Sequence, residues 1–435
     1  MYRLLSLGLV GCCLLACSFG NASEPTIVER ELAGTTAVPE TPTTIIEATA
    51  TEMAVATPLP TATQPPPTVT NLSPSPTPQP TATPIFPETL APICPDLPRP
   101  ALLGKQTGGT ETTIYTAWHP DTNQTCDIAI PIRGSHVSHI INGNIYLKQW
   151  TEETGGNLIR YQTDGSIDVF PLPLESNFAI LPSHTEVHVA WNYITIDEQT
   201  ELVTVTLFVT DLATNETVEL ASINNQAEVD QNMPYVAWFI RPVRFVGDSL
   251  LYTIDPSGKG GSWNAYTGRY SNLYRVPLAG GEVQTVYECP PDDHSDCIGD
   301  ISSDNQRLAV TKRDENQIAI VDFAGNVQKV IVGPGEDYIG KSHFNENGQL
   351  VFLSANTGAD LVAIEEAWLM VVDVPGAAEP VVISQLASTS IQGWLTNDQF
   401  IAWTRQQETR IYVVDLAGNT VRVPPAVERT AWVLR

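Results

Sequence analysis

One two-strand unit recurs along the last three quarters of this chain, and it limits the chain to very few folds. The unit is clearest at the end, as IYVVDLAGNTVRVPP (Ile411 to Pro425). Earlier copies read LFVTDLATNETVELA, NLYRVPLAGGEVQTVYE, QIAIVDFAGNVQKVIVG and LMVVDVPGAAEPVVIS; LIRYQTDGSIDVFPL and TIYTAWHPDTNQTCDIAIPI are weaker. Each is an alternating β-branched and aromatic run, a short Gly/Asn/Asp turn and a second alternating run, which is the hairpin signature. Aligned on the residue three before the turn, the copies fall at 119, 162, 211, 277, 322, 373 and 415, at intervals of 43, 49, 66, 45, 51 and 42 residues. A period of ~40–50 residues with four strands per unit predicts an all-β fold, a β-propeller. Seven hairpins predict seven four-stranded blades, and the 66-residue interval leaves six or eight open.

A second motif precedes each clear hairpin. It reads SSDNQRLAVTK (Ser302 to Lys312), NENGQLVFLS (Asn345 to Ser354), TNDQFIAWTR (Thr396 to Arg405), VGDSLLYTI from Val246 and INGNIYLKQ from Ile141. These segments resemble the Ser-Pro-Asp-Gly-x-x-(Ile/Leu)-Ala-(Phe/Tyr) unit of TolB-type, WD-like propeller repeats, mostly without the Pro. The resemblance covers about residues 100–435. It implies that each turn joins the inner two strands of a blade and that the following hairpin supplies the outer two. One inner strand, Ala101 to Gln106, precedes the first hairpin, and ERTAWVLR follows the last. That tail is expected to close the ring as a strand of blade 1, removing the edge an open array exposes. The α/β domain that precedes the propeller in TolB proteins has no counterpart here; a stalk stands in its place.

The stalk is residues 35–92, with 16 Thr and 14 Pro in 58 residues and no Gly, Lys or Arg. Such a segment cannot bury enough apolar surface to fold, so it is expected to be disordered. Held in polyproline-like conformations it would reach up to about 180 Å. Residues 1–16 read as a lipoprotein signal peptide: one Arg, an apolar run from Leu4, then Leu14-Leu15-Ala16 before Cys17. Cys17 is the expected lipidation site, residues 17–34 the lipidated N-terminal segment, and Leu9-Val10-Gly11-Cys12 the competing match with a shorter apolar run. The expected location is the extracytoplasmic side of a bacterial membrane, with residues 93–435 forming the propeller domain. Acyl chains contribute ~0.8 kcal/mol per buried methylene.

The formal net charge is −27, from 49 acidic and 22 basic residues. It argues against a nucleic-acid partner, which needs a basic face. Four cysteines follow the signal: Cys94, Cys126, Cys289 and Cys297. An even count in an exported chain predicts two disulfides. Cys289 and Cys297 flank the short loop CPPDDHSDC, which leaves Cys94 for Cys126.

The 66-residue interval holds an insertion in two parts, Ile223 to Phe239 and Asp255 to Asn272. The second, DPSGKGGSWNAYTGRYSN, joins the inner and outer pairs of blade 4 and supplies the ligand-binding candidates Trp263, Tyr266, Arg269 and Tyr270. Aromatic and Arg side chains are common anchors of recognition surfaces. The other connections on that face are acidic, among them Glu152, Glu365 and Glu408, and read as a solvated surface. Gly335-x-x-x-x-Gly340-Lys341-Ser342 matches a phosphate-binding loop letter for letter, but a strand pattern follows where a helix is required. His184-x-Glu186-x-His188 would put three metal ligands on one strand face by period two, with no evident fourth. No metal or cofactor is therefore expected. Without a Gly-x-Ser-x-Gly elbow or another catalytic constellation, the expected function is a non-catalytic scaffold for a protein, peptide or glycan, carried by a monomer. The alternative is a polysaccharide- or peptide-degrading enzyme using acidic residues near the central channel.

Overall fold

The chain divides into two units, Met1–Pro76 and Thr77–Arg435. The computed structural model describes residues 89–435, apart from the segments 107–111, 133–134, 152–154, 173–178, 197–202, 226–237, 257–268, 291–296, 313–314, 336–337, 358–363, 377–378, 386–388, 406–408 and 428–431. The signal peptide, Cys17 and the stalk up to residue 88 lie outside the described residues.

The described strands form seven antiparallel four-stranded sheets. Blade 2 spans Ser135–Leu172, blade 3 Ile180–Asn225, blade 4 Trp238–Glu288, blade 5 Ile298–Val332, blade 6 Tyr338–Gln385 and blade 7 Thr389–Arg422. In each of these the strands run from the axis outward in chain order. Blade 1 takes three strands from Ala101–Lys105, Thr113–Trp118 and Thr125–Ile130, and its innermost strand, Trp432–Leu434, from the other end of the chain. Leu102 pairs with Val433 and Leu103 with Trp432, so the tail closes the ring as the sequence predicts.

Closure is visible in the core. Seven apolar clusters fill the spaces between successive blades, one for each interface of a closed seven-membered ring. The middle strands are buried on both faces, so successive side chains enter different clusters. Leu350 and Phe352 pack toward blade 5, while Val351 and Leu353 pack toward blade 7. Two-sided burial explains why these strands read as unbroken apolar runs such as LVFL, whereas the outermost strands leave Val327 and Val381 exposed.

The repeated turns explain themselves chemically. In the outer hairpins of blades 3, 5 and 7, Asp211, Asp322 and Asp415 each accept two backbone N–H groups of the turn on Oδ1. The side-chain amides of Asn326 and Asn419 donate to Asp322 and Asp415 as well, and these bonds together with the backbone ones hold all three carboxyls below their usual range. In the inner turns of blades 6 and 7, Asn345 Oδ1 and Thr396 Oγ1 each accept two N–H groups. Such side-chain caps replace the ladder bonds that a reversing chain loses.

Both expected disulfides are present: Cys94–Cys126 and Cys289–Cys297 have Cα separations of 5.9 and 5.8 Å. The first ties the segment leading into the ring to the outermost strand of blade 1. Thr89 and Leu90, read from composition as the end of the stalk, already pair with Ser166 and Gly165 of blade 2.

Candidate functional site

The inner turns of blades 3 to 7, with the junction of the two chain segments in blade 1, gather at one face of the ring, around the axis. There they enclose a cavity of about 590 Å³. Its lining comes from the approach to blade 1 (Arg99), the inner turn of blade 3 (His184), and the ends of the innermost strands of blades 4, 6 and 7 (Arg244, Phe344 and Trp394); Asn305, Asn397 and Arg435 complete its mouth. The walls are framework rather than free loop. Trp394 is buried and donates from Nε1 to His343 O at 2.7 Å, and Asn345 Nδ2 donates to Asn397 O at 3.1 Å. A pocket held by buried backbone contacts keeps its shape without a ligand, which lowers the cost of binding.

The charge at this mouth departs from the rest of the chain. The described lining carries three guanidiniums and one side-chain carboxylate, Glu346. Arg435 Nη1 meets Glu346 Oε1 at 2.9 Å, and both side chains are more than half exposed. Arg244 Nη1 donates to two neutral acceptors, Ser302 O at 2.8 Å and Asn305 Oδ1 at 3.3 Å. Arg99 Nη2 donates to Ile93 O at 2.9 Å, while its buried Nη1 has no partner among the described residues. Burial lowers the pKa of Arg99, because the charged form is the one that loses hydration. No sequence motif announced these arginines. The signal that could have found them is position: Arg244 ends an innermost strand just before the Gly247 turn, and Arg435 and Arg99 flank the corresponding junction of blade 1.

Of the sequence-based ligand candidates, Arg269 and Tyr270 are described, and they lie where the inner and outer pairs of blade 4 are joined. Trp263 and Tyr266 lie outside the described residues, as do Glu152 and Glu408. Arg269 is exposed and donates from Nη2 to Gln392 O of blade 7 at 3.1 Å, reaching past blades 5 and 6. Its backbone carbonyl accepts from Arg241 Nη2 at 3.2 Å, and Arg241 Nε is bonded to Asp255 at 2.7 Å. Tyr270 is half-buried and forms a strand bridge with Ile298 of blade 5. Burial pushes its phenol above the usual range. His343, fully buried in the innermost strand of blade 6, is held well below the usual histidine range by burial and then by the charge of Arg269.

His184, Glu186 and His188 do not share a strand face. Residues 183–187 are the inner turn of blade 3, and Glu186 takes a left-handed backbone, φ 58°. His184 joins the axial cavity, and His188 sits 3.7 Å from Asp211. The Glu186 carboxylate turns to blade 2, where it accepts from Asn142, Asn144 and Tyr146. Among the described residues no three His, Cys, Asp or Glu side chains are grouped to hold a metal. Residues 335–342 are likewise not a phosphate loop: Tyr338–Phe344 is the innermost strand of blade 6, with Lys341 at a bulge.

No protein-family model and no curated protein matches this chain. Solved structures do match it, at low identity. The acylaminoacyl peptidase of Pyrococcus horikoshii is 14% identical with a TM-score of 0.45, over 74% of this chain and 52% of that one, so this chain spans about half the peptidase's length. The Cps50 (Swd1) β-propeller domain of Myceliophteria thermophila is 10% identical with a TM-score of 0.39, over 67% of this chain and 86% of that one. Virginiamycin B lyase of Staphylococcus aureus is 13% identical with a TM-score of 0.36, over 74% and 94%. A peptidase, a β-propeller domain and a lyase thus stand side by side among the matches. The chain is a seven-bladed β-propeller.

Proposed function

We propose that this chain is a membrane-anchored extracytoplasmic lipoprotein whose TolB-like propeller is a non-catalytic binding scaffold, with its ligand held in the axial cavity. The observation that carries the binding reading is the convergence of Arg99, Arg244 and Arg435 on one preorganised mouth in a chain of net charge −27. Isolated surface arginines need no explanation, but several gathered beside aromatic walls in a cavity of this size match a small-molecule site. The anchor rests on Leu14-Leu15-Ala16-Cys17 and on the Thr/Pro segment that would hold the ring away from the lipid.

Two experiments test the proposal. Cys17→Ser should release the full-length chain from the membrane fraction; a variant that stays membrane-bound and acylated moves the anchor to Cys12 or removes it. Asn397→Trp should fill the cavity mouth. Ligands found in a thermal-shift screen of oligosaccharides and peptides should lose binding to this variant, while its melting temperature stays at the wild-type value. Ligands that bind both proteins alike place recognition elsewhere.

A further inference from the structure

We infer that the axial cavity takes a carboxylate-bearing saccharide, gripped side-on by the Nε–Nη2 edge of the Arg244 guanidinium. The inference rests on the cavity being the binding site, as proposed above, and adds the chemistry of the ligand.

Arg244 spends only Nη1 inside the protein, on the carbonyl of Ser302 and the amide oxygen of Asn305. Its Nε and Nη2 have no partner among the described residues, and together they form the edge that holds a carboxylate by two parallel bonds. Neither of its acceptors is charged, so its positive charge is not neutralised by them. Arg99 lines the same cavity, also on a neutral acceptor and with one buried N–H unsatisfied. Of the three guanidiniums, Arg435 alone meets a carboxylate, and that pair is exposed to solvent. An anion entering here would therefore supply the counter-charge that Arg244 and Arg99 do not meet among the described residues.

The remaining polar groups favour a sugar as the carrier of that anion. The side-chain amide of Asn397 and Nδ2 of Asn305 have no partner among the described residues, and both line the cavity. Carboxamides donate and accept at once, and so match hydroxyl groups that do the same. Phe245 and Phe344 add apolar surface for a pyranose face. A volume of about 590 Å³ admits one or two sugar rings. The net charge of −27 opposes a long polyanion, so the fit is to a short acid or to the acidic end of a glycan.

The test is isothermal titration of the full-length Cys17→Ser chain with digalacturonate, its methyl ester, and the tripeptide Ala-Ala-Phe as free acid and as amide. Digalacturonate should bind at least tenfold tighter than its ester, equivalent to ~1.4 kcal/mol. Arg244→Gln should erase that difference, Arg244→Lys should restore part of it, and Asn397→Trp should abolish binding. Circular dichroism and melting temperature show that each variant is folded. If acid and ester bind alike and Asn397→Trp blocks both, the cavity is the site but the carboxylate inference is overturned. If Asn397→Trp leaves digalacturonate binding intact, the cavity itself is the wrong site. If the tripeptide acid binds better than digalacturonate, the saccharide is overturned in favour of a peptide terminus. Absence of binding by every probe at ~10 mM, where a Kd near 1 mM is still readable, overturns the inference outright.

Discussion

Glu186→Ala should be among the more damaging substitutions outside the apolar core. The Glu186 carboxylate in the inner turn of blade 3 joins blade 2 through Asn142 Nδ2 at 2.9 Å, Asn144 Nδ2 at 2.9 Å and Tyr146 Oη at 2.7 Å, with Arg160 Nη1 at 3.6 Å. Its side chain is 14% exposed, and Tyr146 is fully buried. Burial alone would raise its pKa, but the bonds from Tyr146, Asn144 and Asn142 and the charge of Arg160 outweigh burial and hold it low. A hydrogen bond to a charged group is worth ~1.5–3 kcal/mol, and an orphaned buried donor costs ~1–3 kcal/mol. Arg160 keeps Asp168 at 2.6 Å, so its charge is not stranded and the sum is capped. The expected loss is ~3 kcal/mol. Glu186→Gln, which keeps the shape but not the charge, should lose about half of that. Glu186→Gly should be ~1 kcal/mol better than alanine, because the left-handed backbone at φ 58° costs glycine nothing. The measurement is urea unfolding at pH 7, followed by tryptophan fluorescence and far-UV circular dichroism together. A Glu186→Ala loss under ~1 kcal/mol, or an alanine variant as stable as the glycine one, refutes the assignment of this carboxylate as an inter-blade tie.

Removing Cys94–Cys126, with a sequence separation of 32, should cost ~3.7 kcal/mol in the chain-entropy model, against ~2.6 kcal/mol for Cys289–Cys297 with a separation of 8; equal melting shifts for the two double Cys→Ala variants would contradict that ordering. Burial pushes His139 down to about 4 and His343 well below the usual histidine range. Both folded values lie below the unfolded one, so stability present above pH 6.5 is lost as pH falls from there through the folded values, by at most ~1.4 kcal/mol per pH unit for each histidine; identical urea midpoints at pH 7.5 and pH 5 exclude this. A Cβ at Gly104 would meet Val427 Cα at 2.3 Å, so Gly104→Ala should lower stability by ~1–3 kcal/mol; an unchanged melting temperature would show that the segment around Val427 yields freely.

How much of this was legible in the sequence follows from how local each signal is. The outer hairpins announce themselves because the turn bonds accepted by Asp211, Asp322 and Asp415 come from their own turns, so the motif is complete in about five residues. Ring closure was readable because one unmatched inner strand at the start met one unmatched strand at the end, and Leu102 does pair with Val433. The inner turn of blade 3 was misread. SHTEV has neither Gly nor Asn, and Glu186 holds a left-handed backbone through bonds to a neighbouring blade that no single-strand pattern can show. The cavity was out of reach for the same reason, at larger scale. Arg99 and Arg244 are 145 residues apart, and Arg244 and Arg435 a further 191. Each taken alone reads as an ordinary surface cation beside a turn. Because blades 3 to 7 carry their inner turns to the same mouth, residues unremarkable at one repeat become neighbours once the ring closes. In a propeller the repeat that makes the fold easy to see is also what hides the site: conserving one blade geometry leaves function to single side chains at equivalent positions, and only alignment on the inner turns brings those positions into one column.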